Sequence, residues 1–542
     1  MTGYDIGFYG SHNGAFAVSK DGKIVEVLEI ERLINEKNCG IAQYKTVKPA
    51  DILYFSKYFG SYLTQRYGIE KFDRCFHQNT EVIIDGKNHN LHQDIPSEQY
   101  YPGFHHQAHA SGTFYQSDFK SALIFSFDGG GNDGFFNVYL GRRQSGVTLL
   151  GSIYNPVTNS PHLYLDLGFP YMLLGHYIEE IKQEIDISAG NLVYPGKLMG
   201  LAAYGVVQEN WLSFFYDYYQ CINNGDTYKD VLEKLGSSIG LKFNEKERFN
   251  TEIGRNLAAT SQRAFEDIFI KHAKPFIDQY QDLPICLSGG CALNITLNTR
   301  VAEEFNKKVF VGPNPNDCGL AVGMLLNEIK PKTPSILTYS GPTLFDIDSL
   351  GEYINQSHYS CSSILDINKL ADDLIEGKIV GVARDRSEHG PRALGNRSIL
   401  CNPAIKDMKD ILNSRVKNRE AYRPFAPVVR LEDVNKFFEW NTPSAHMNFS
   451  PLVKEEWRSK LASITHIDNT ARIQTVTREE NSFLYELLSI IDSKNGVGIL
   501  LNTSFNVAGK PILNTVKDAF TIFHKTEMDN LLIENNYLEK LT

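Results

Sequence analysis

SALIFSFDGGGNDGFFNVYLG, residues 121–141, reads as a buried apolar strand, a glycine-rich turn and a second strand. Asp128 closes the first strand, and Gly129, Gly130 and Gly131 come directly after it. A carboxylate there can hold a metal ion or a water beside a phosphate, and glycines let the backbone come close. A strand rather than a helix succeeds the glycines, which separates this turn from a dinucleotide-binding fingerprint. The amino-terminal stretch has the same design. Alternation in IGFYG and AFAVS, then IVEVLEI after the turn Lys20-Asp21-Gly22-Lys23, predicts a β-meander. Its tip, Ser11-His12-Asn13-Gly14, is small and polar and can offer backbone N–H groups to a phosphate.

Two strand–polar-turn–strand units, each opening a half-domain, are the pattern of actin-like, ribonuclease-H-like ATPases, an analogy of fold and not of function. Between them stands HHQAHASG, residues 105–112. A helix there puts His105 and His109 on one face, the spacing at which two imidazoles bind one metal ion. VFVGPNPNDCGLAVGMLLNEI (309–329) predicts a strand, a loop and a small-residue helix with Asp317 at its start. Asp317 is either an ordinary amino-terminal cap or a third ligand. Two imidazoles and one carboxylate with open positions suit Fe(II) or another divalent transition metal. LPICLSGGCALNITLNTR (283–300) predicts a strand, a Ser288-Gly289-Gly290 turn and a helix from Cys291, with Asn294 one turn in. Such a turn before a helix suits an anion or nucleotide. PGKLMGLAAYG (195–205) brings Lys197, either a partner for phosphate or a solvated charge. Residues 206–280 read as a helical insertion.

The chain has 542 residues, too many for one core, so two or more domains are expected. Its composition, 42% hydrophobic and 22% charged, is ordinary for a globular protein. A net charge of −10 argues against a nucleic-acid partner. Eight cysteines without a C-x-x-C pair fit a reducing compartment. With no membrane-length apolar run and no signal-like start, a cytoplasmic protein is expected.

KPKTPSILTYSGPTL (330–344) reads as a linker, and the sequence beyond it is different in character. GKIVGVARDRSEHGPRALGNRSILCNP (377–403) carries Arg384, Arg386, Arg392 and Arg397. SRVKNREAYRPFAPVV (414–429) adds Arg415, Lys417, Arg419 and Arg423. These cations interleave with Gly, Pro and Phe425, and arginine forks suit phosphate. ITHIDNTARIQTV (464–476) brings His466 and Arg472, and ILLNTSFN is a strand ending in Asn502, Ser504 and Asn506. A polar strand end is where ligands sit in α/β folds.

Taken together, HHQAHA (105–110), DGGG (128–131), GKLMGLAAYG (196–205), LSGGCALN (287–294), NDCGLAVG (316–323), EHGPRALGNRS (388–398), KNREAYRPFAP (417–427), THIDNTARIQTV (465–476) and LLNTSFNVAGKPI (500–512) resemble the NodU/CmcH-type O-carbamoyltransferases along nearly the whole chain. The resemblance implies an α/β protein in two domains. Residues 1–335 would be a TsaD-like pair of actin-like halves with a metal at His105, His109 and Asp317. Residues 336–542 would be a YrdC-like adenylate-forming domain. It implies that carbamoyl phosphate and ATP, with Mg, give carbamoyl adenylate, and that the carbamoyl group passes to a hydroxyl of a small acceptor at an Fe(II) site. Arg386, Arg392, Arg397, Lys417, Arg419, Arg423, His466 and Arg472 would handle phosphate, with Asn502, Ser504 and Asn506 positioning oxygens. Adenylate would lie against Asp128, Gly129, Gly130, Lys197, Gly289, Gly290 and Asn294. By chemistry alone, His12 and His106 are candidate bases for the acceptor hydroxyl. The chain departs from the family pattern at Asn13, Asp385, Asn469 and Lys510. An RNA-modifying threonylcarbamoyl-type transferase and an inactive nucleotide-binding protein are the alternatives, and a homodimer is one assembly open to the chain.

Overall fold

The computed structural model describes residues 3–42, 49–153, 165–181, 190–220, 226–240, 251–355 and 359–540. The chain forms two compact units, Met1–Glu31 with Asn38–Ile336, and Arg32–Lys37 with Leu337–Thr542. No helix among the described residues is long and apolar enough to cross a membrane. Cys221 lies outside the described residues, and the other seven cysteines form no disulfide with one another.

The first unit holds two five-stranded sheets of identical topology. One runs Lys23–Glu29, Ala15–Lys20, Tyr4–Tyr9, Phe72–Gln78 and Ser97–Pro102 from edge to edge. The other runs Gly146–Ile153, Gly134–Arg142, Ser121–Gly131, Ile285–Ser288 and Val309–Val311. In both, the first three chain segments form an antiparallel meander and the last two add in parallel. This is the twice-repeated ribonuclease-H-like arrangement of the actin-like fold. Its central strands are nearly continuous apolar runs, as strands covered on both faces must be.

Two helices, His105–Gln116 and Leu320–Ile329, pack against each other; the first also touches Ser121–Gly131 and the second Tyr4–Tyr9. Small residues allow this contact. A Cβ on Gly323 would lie 2.0 Å from the Ala108 carbonyl oxygen and 2.6 Å from its carbon. Both are backbone atoms of a helix and cannot swing aside. Gly323→Ala is therefore expected to destabilise the unit by about 2–3 kcal/mol, the upper range for overpacking, and thermal unfolding of the purified variant measures this.

The expected helical insertion contains Leu212–Tyr218, Tyr228–Ser238 and the long helix Thr251–Gln279, while residues 221–225 and 241–250 lie outside the described set. The helix expected from Cys291 starts later, at Ile295. Residues Gly290–Leu293 form a 3-10 turn, and Asn294 caps the helix by accepting the Leu297 N–H at 3.0 Å.

The second unit is a mixed eight-stranded sheet, in the order Tyr359–Ser362, Asn536–Lys540, Asn530–Ile533, Val380–Ala383, Arg397–Cys401, Ile499–Ser504, Ala426–Arg430 and Gln474–Val476. Helices Ile367–Ile375 and Ser482–Asn495 bury their apolar stripes on it, through Leu370, Leu374, Leu484, Leu487 and Leu488. The arginine-bearing segments lie largely in the loops that join these strands.

Candidate functional sites

In the first unit the helix His105–Gln116 turns both histidines to one side. His105 Nε2 and His109 Nε2 are 3.2 Å apart. His109 Nε2 lies 3.3 Å from Asp128 Oδ2 and 3.5 Å from Asp317 Oδ1. The matching distances from His105 Nε2 are 3.8 and 3.7 Å. One donor atom from each of His105, His109, Asp128 and Asp317 falls within 4.8 Å of every other. The set fits a divalent transition metal, since it joins two imidazoles and two carboxylates at a buried point. Asp317 opens the 3-10 turn Asp317–Gly319, just before the helix Leu320–Ile329, and its Oδ1 faces both imidazoles.

Asp128, expected beside the nucleotide, stands within the cluster itself. Its Oδ1 accepts the Gly129 N–H at 2.7 Å, and Oδ2 accepts the Gly290 N–H at 2.6 Å. Gly289, at φ +91°, brings that amide in where a Cβ would strike the Phe127 carbonyl oxygen at 2.1 Å. Burial pushes Asp128 up, but His105 and His109 hold it well below the usual carboxylate range. Burial likewise lowers His109, and the hydrogen bonds to Asp128 and Asp317 more than reverse this, to about 9. The cluster is thus a place that favours positive charge.

Tyr9 escaped the sequence reading. Its hydroxyl donates to Asp317 Oδ2 at 2.6 Å and accepts from Asn79 Nδ2 at 3.3 Å, which orients the carboxylate. In the strand Tyr4–Tyr9 it looks like one more core aromatic, and it does pack with Ala108, Leu320 and Met324. His12 stands at the rim, 39% exposed, with Nδ1 3.3 Å from Asp317 Oδ2.

His106 points into the core and away from the cluster's donor atoms. It is fully buried, with Nδ1 bonded to Ser126 Oγ at 2.8 Å and Nε2 to the Gly134 carbonyl at 2.9 Å. Neither nitrogen remains for a substrate proton. Asn294 is also engaged internally, its side chain shared between the helix cap and Gln262. Lys197 is buried in the helix Tyr194–Ala202 and is not a solvated charge. The strand expected to close at Asp128 runs on through Gly129 and Gly130 to Gly131, with an irregular register between Phe127 and Gly131 and Gly130 at φ +125°.

Burial pushes the Asp166 carboxyl up to about 7, although it accepts the Phe169 N–H at 2.9 Å and the Tyr228 hydroxyl at 3.2 Å. A folded-state value above the unfolded one means that stability falls as pH rises from the unfolded value through about 7. Asp166→Asn is expected to raise the thermal midpoint more at about pH 8 than at about pH 5. Unfolding scans of both proteins at the two pH values check this, and an equal gain at both would refute it.

In the second unit five cations converge. Arg472 feels Arg392, Arg419 and Arg423, and burial together with these neighbours depresses it strongly. Burial, then Arg423, lowers Arg392 to about 10 and Arg419 to about 9. Lys417 Nζ donates to neutral oxygens: the Ser504 carbonyl at 2.8 Å, the Asn506 carbonyl at 3.0 Å and Asn506 Oδ1 at 2.8 Å. Burial and the nearby Arg419, Arg423 and Lys37 hold it well below an ordinary lysine. Glu420 pairs with Arg423 at 3.5 Å. The Nε atoms of Arg392 and Arg472 are buried with no hydrogen-bond partner among the described residues. Cations crowded this way, with donors unspent, suit a polyanion.

Not every predicted arginine joins them. Arg397 is fully buried and donates to the carbonyls of Arg384, Asn396, Pro342 and Asp385. Arg386 donates to the carbonyls of Gly341 and Ser340. Both therefore brace loops. Asn502 does similar work: its Nδ2 donates to the Ala393 carbonyl at 3.2 Å and Gln474 Oε1 at 2.7 Å. Ser504 Oγ donates to Asn506 Oδ1 at 2.7 Å, beside Lys417. His466 bonds the Tyr422 carbonyl at 3.2 Å and faces Asp468.

The departures from the family pattern have local explanations. Asp385 is paired with Arg384 at 2.9 Å. Asn469 sits at φ +66° and Asn13 at φ +54°, and asparagine tolerates this left-handed backbone. Lys510 donates to the Asn35 carbonyl at 3.0 Å.

Comparison with known proteins matches residues 63–326 to the family model "Carbamoyltransferase N-terminus" and residues 371–540 to "Carbamoyltransferase C-terminus". The nodulation protein NolNO of Sinorhizobium fredii is 30% identical, with 98% of this chain and 79% of that protein covered. The nodulation protein NolO of Bradyrhizobium diazoefficiens is 32% identical, covering 79% of this chain and 77% of that protein. The 3'-hydroxymethylcephem-O-carbamoyltransferase of Streptomyces clavuligerus is 34% identical, covering 48% of this chain and 49% of that protein.

Proposed function

The chain belongs to the carbamoyltransferase family and is a carbamoyl-transferring enzyme, and from that premise we propose that it uses ATP to move the carbamoyl group of carbamoyl phosphate onto a hydroxyl of a small acceptor. The observation that carries this reading is the cation cluster of Arg392, Lys417, Arg419, Arg423 and Arg472 in the part matching the carboxy-terminal family model. Both substrates are phosphates, and together they bring more negative charge than one cation can offset.

Atom balance sets the sequence. Water takes the phosphate from carbamoyl phosphate and leaves carbamate. A carbamate oxygen attacks the α-phosphorus of ATP, and pyrophosphate departs. The acceptor oxygen then attacks the carbamoyl carbon of the adenylate, its proton passes to a base, and AMP leaves. The five cations bind the phosphates and offset charge as the α-phosphorus reacts. Lys417, held on Ser504 and Asn506, presents its charge from a fixed position. In the first unit, His105, His109, Asp128 and Asp317 would hold a divalent transition metal, with Fe(II) the expected ion. That ion would supply Lewis-acid polarisation of the transferred group. His12, at the rim with Nδ1 3.3 Å from Asp317 Oδ2, suits the base by the chemistry of an imidazole.

The test is pyrophosphate release from ATP by iron-loaded protein, with and without carbamoyl phosphate, followed by a screen of hydroxylated metabolites for carbamoylation. Release that requires carbamoyl phosphate supports the adenylate step. Equal release in its absence, or none in either case, sinks it.

A further inference from the structure

The second unit includes six residues from far upstream, Arg32–Lys37. Arg32 is 7% exposed. Its guanidinium forks, with Nη1 donating to the Glu388 carbonyl and Nη2 to the Gly390 carbonyl, each at 2.7 Å. The far end of the segment is tied down where Lys510 Nζ meets the Asn35 carbonyl. The loop that Arg32 grips carries Arg392, two residues past Gly390. Its downstream side is fixed by Glu388, whose Oε1 accepts the N–H groups of Leu394, Asn396 and Arg397 at 2.7, 2.8 and 3.1 Å. The chain is therefore anchored on both sides of Arg392.

We propose that Arg32 is a positioning residue of the anion site: its fork on the Glu388 and Gly390 carbonyls sets the loop that presents Arg392 to Arg423 and Arg472. This rests on the reading of the second unit as the phosphate-handling one. Two carbonyls a fork apart are a target for a planar guanidinium, while an ammonium would meet only one of them well. Both acceptors are main-chain atoms, so the two bonds fix the path of the loop itself and not a side chain that could swing away. The same segment brings Lys37 near Lys417, where it contributes to the depression of that ammonium.

The full-length protein and its Arg32→Ala and Arg32→Lys variants are titrated with inorganic phosphate by calorimetry, with pyrophosphate release and metal content measured beside it. Arg32→Ala is expected to weaken phosphate binding and raise KM for carbamoyl phosphate about ten-fold, the scale of one charge-assisted hydrogen bond, with metal content unchanged. Arg32→Lys keeps the charge without the fork and stays about five-fold weak. Wild-type affinity in Arg32→Ala overturns the proposal, as does full recovery in Arg32→Lys, which would reduce Arg32 to a charge. Parallel loss of metal content also overturns it, by marking a general folding role. If the wild-type protein binds phosphate yet releases no pyrophosphate, the adenylate reading fails and the phosphate titrations decide on Arg32 alone. If Arg32→Ala does not fold, the lysine variant decides by the same five-fold criterion.

Discussion

Arg392→Ala is expected to lower carbamoyl-phosphate-dependent pyrophosphate release by about 10²–10³-fold, the usual effect of removing one preorganised donor from a centre where charge develops. Arg392 keeps a buried Nε with no partner among the described residues, and burial beside Arg423 pulls it down to about 10. A bound phosphate would relieve both conditions at once, so the interaction is stronger with the anion present than without it. Truncation removes that gain and leaves Arg423 and Arg472 less crowded, which is why the fold should tolerate it. Arg397→Ala is the contrast. Its four carbonyl acceptors lose their donor, and the damage should appear as a lowered thermal midpoint. Initial rates of pyrophosphate release for both variants separate the two roles. Wild-type release from Arg392→Ala would remove that residue from the site.

The second large effect is in the other unit. His109→Ala is expected to weaken divalent-metal binding by about 100-fold or more, since even outer partners of a ligand are worth about 10–100-fold. His109 is the imidazole closer to both carboxylates, at 3.3 and 3.5 Å. Without it, His105 is the one imidazole facing both Asp128 and Asp317, and their negative charges face each other with less to offset them. Pyrophosphate release should persist, because none of the five cations of the second unit is changed, while carbamoyl transfer to the acceptor should cease. Metal content after dialysis against a weak chelator gives the first readout and product analysis the second. Retained metal in the variant would discard the ligand role, and loss of pyrophosphate release would discard the division of labour.

The parts of this protein that were legible in the sequence are those with a short period. Alternation in residues 4–29 announced a meander, the apolar strand, glycine-rich turn and strand of residues 121–141 announced a hairpin, and the repeat of that design pointed to the doubled fold. His105 and His109 were legible because a helix converts a four-residue step into a shared face. What could not be read was the third dimension of each polar atom. Asp128 was legible as a carboxylate for a metal or a water beside a phosphate, but not as a neighbour of the two imidazoles to which its strand carries it. Tyr9 looks like core because its ring is core, and only the reach of its hydroxyl reveals Asp317. Arg392 and Arg397 stand five residues apart in one stretch, and nothing in their spelling says that one stands beside Arg423 and Arg472 while the other gives Nη1 and Nη2 to four carbonyls. Asn294 was misplaced because a 3-10 turn delayed the helix by four residues. Arg32 sits in no motif at all.

The discontinuity of the second unit has a consequence for synthesis. A ribosome adding about 5–20 residues per second makes Arg32 roughly 20–70 s before Gly390. For that interval the segment Arg32–Lys37 emerges without the carbonyls that later receive it. The first sheet needs Lys23–Glu29 on one side of the segment and Phe72–Gln78 beyond it, so it can form early with Arg32–Lys37 left as an excursion. The last unit made must then capture a piece of chain that has been waiting since the beginning. A gene cut between residues 336 and 337 would separate that piece from its unit, and co-expressed halves would have to recover it by diffusion.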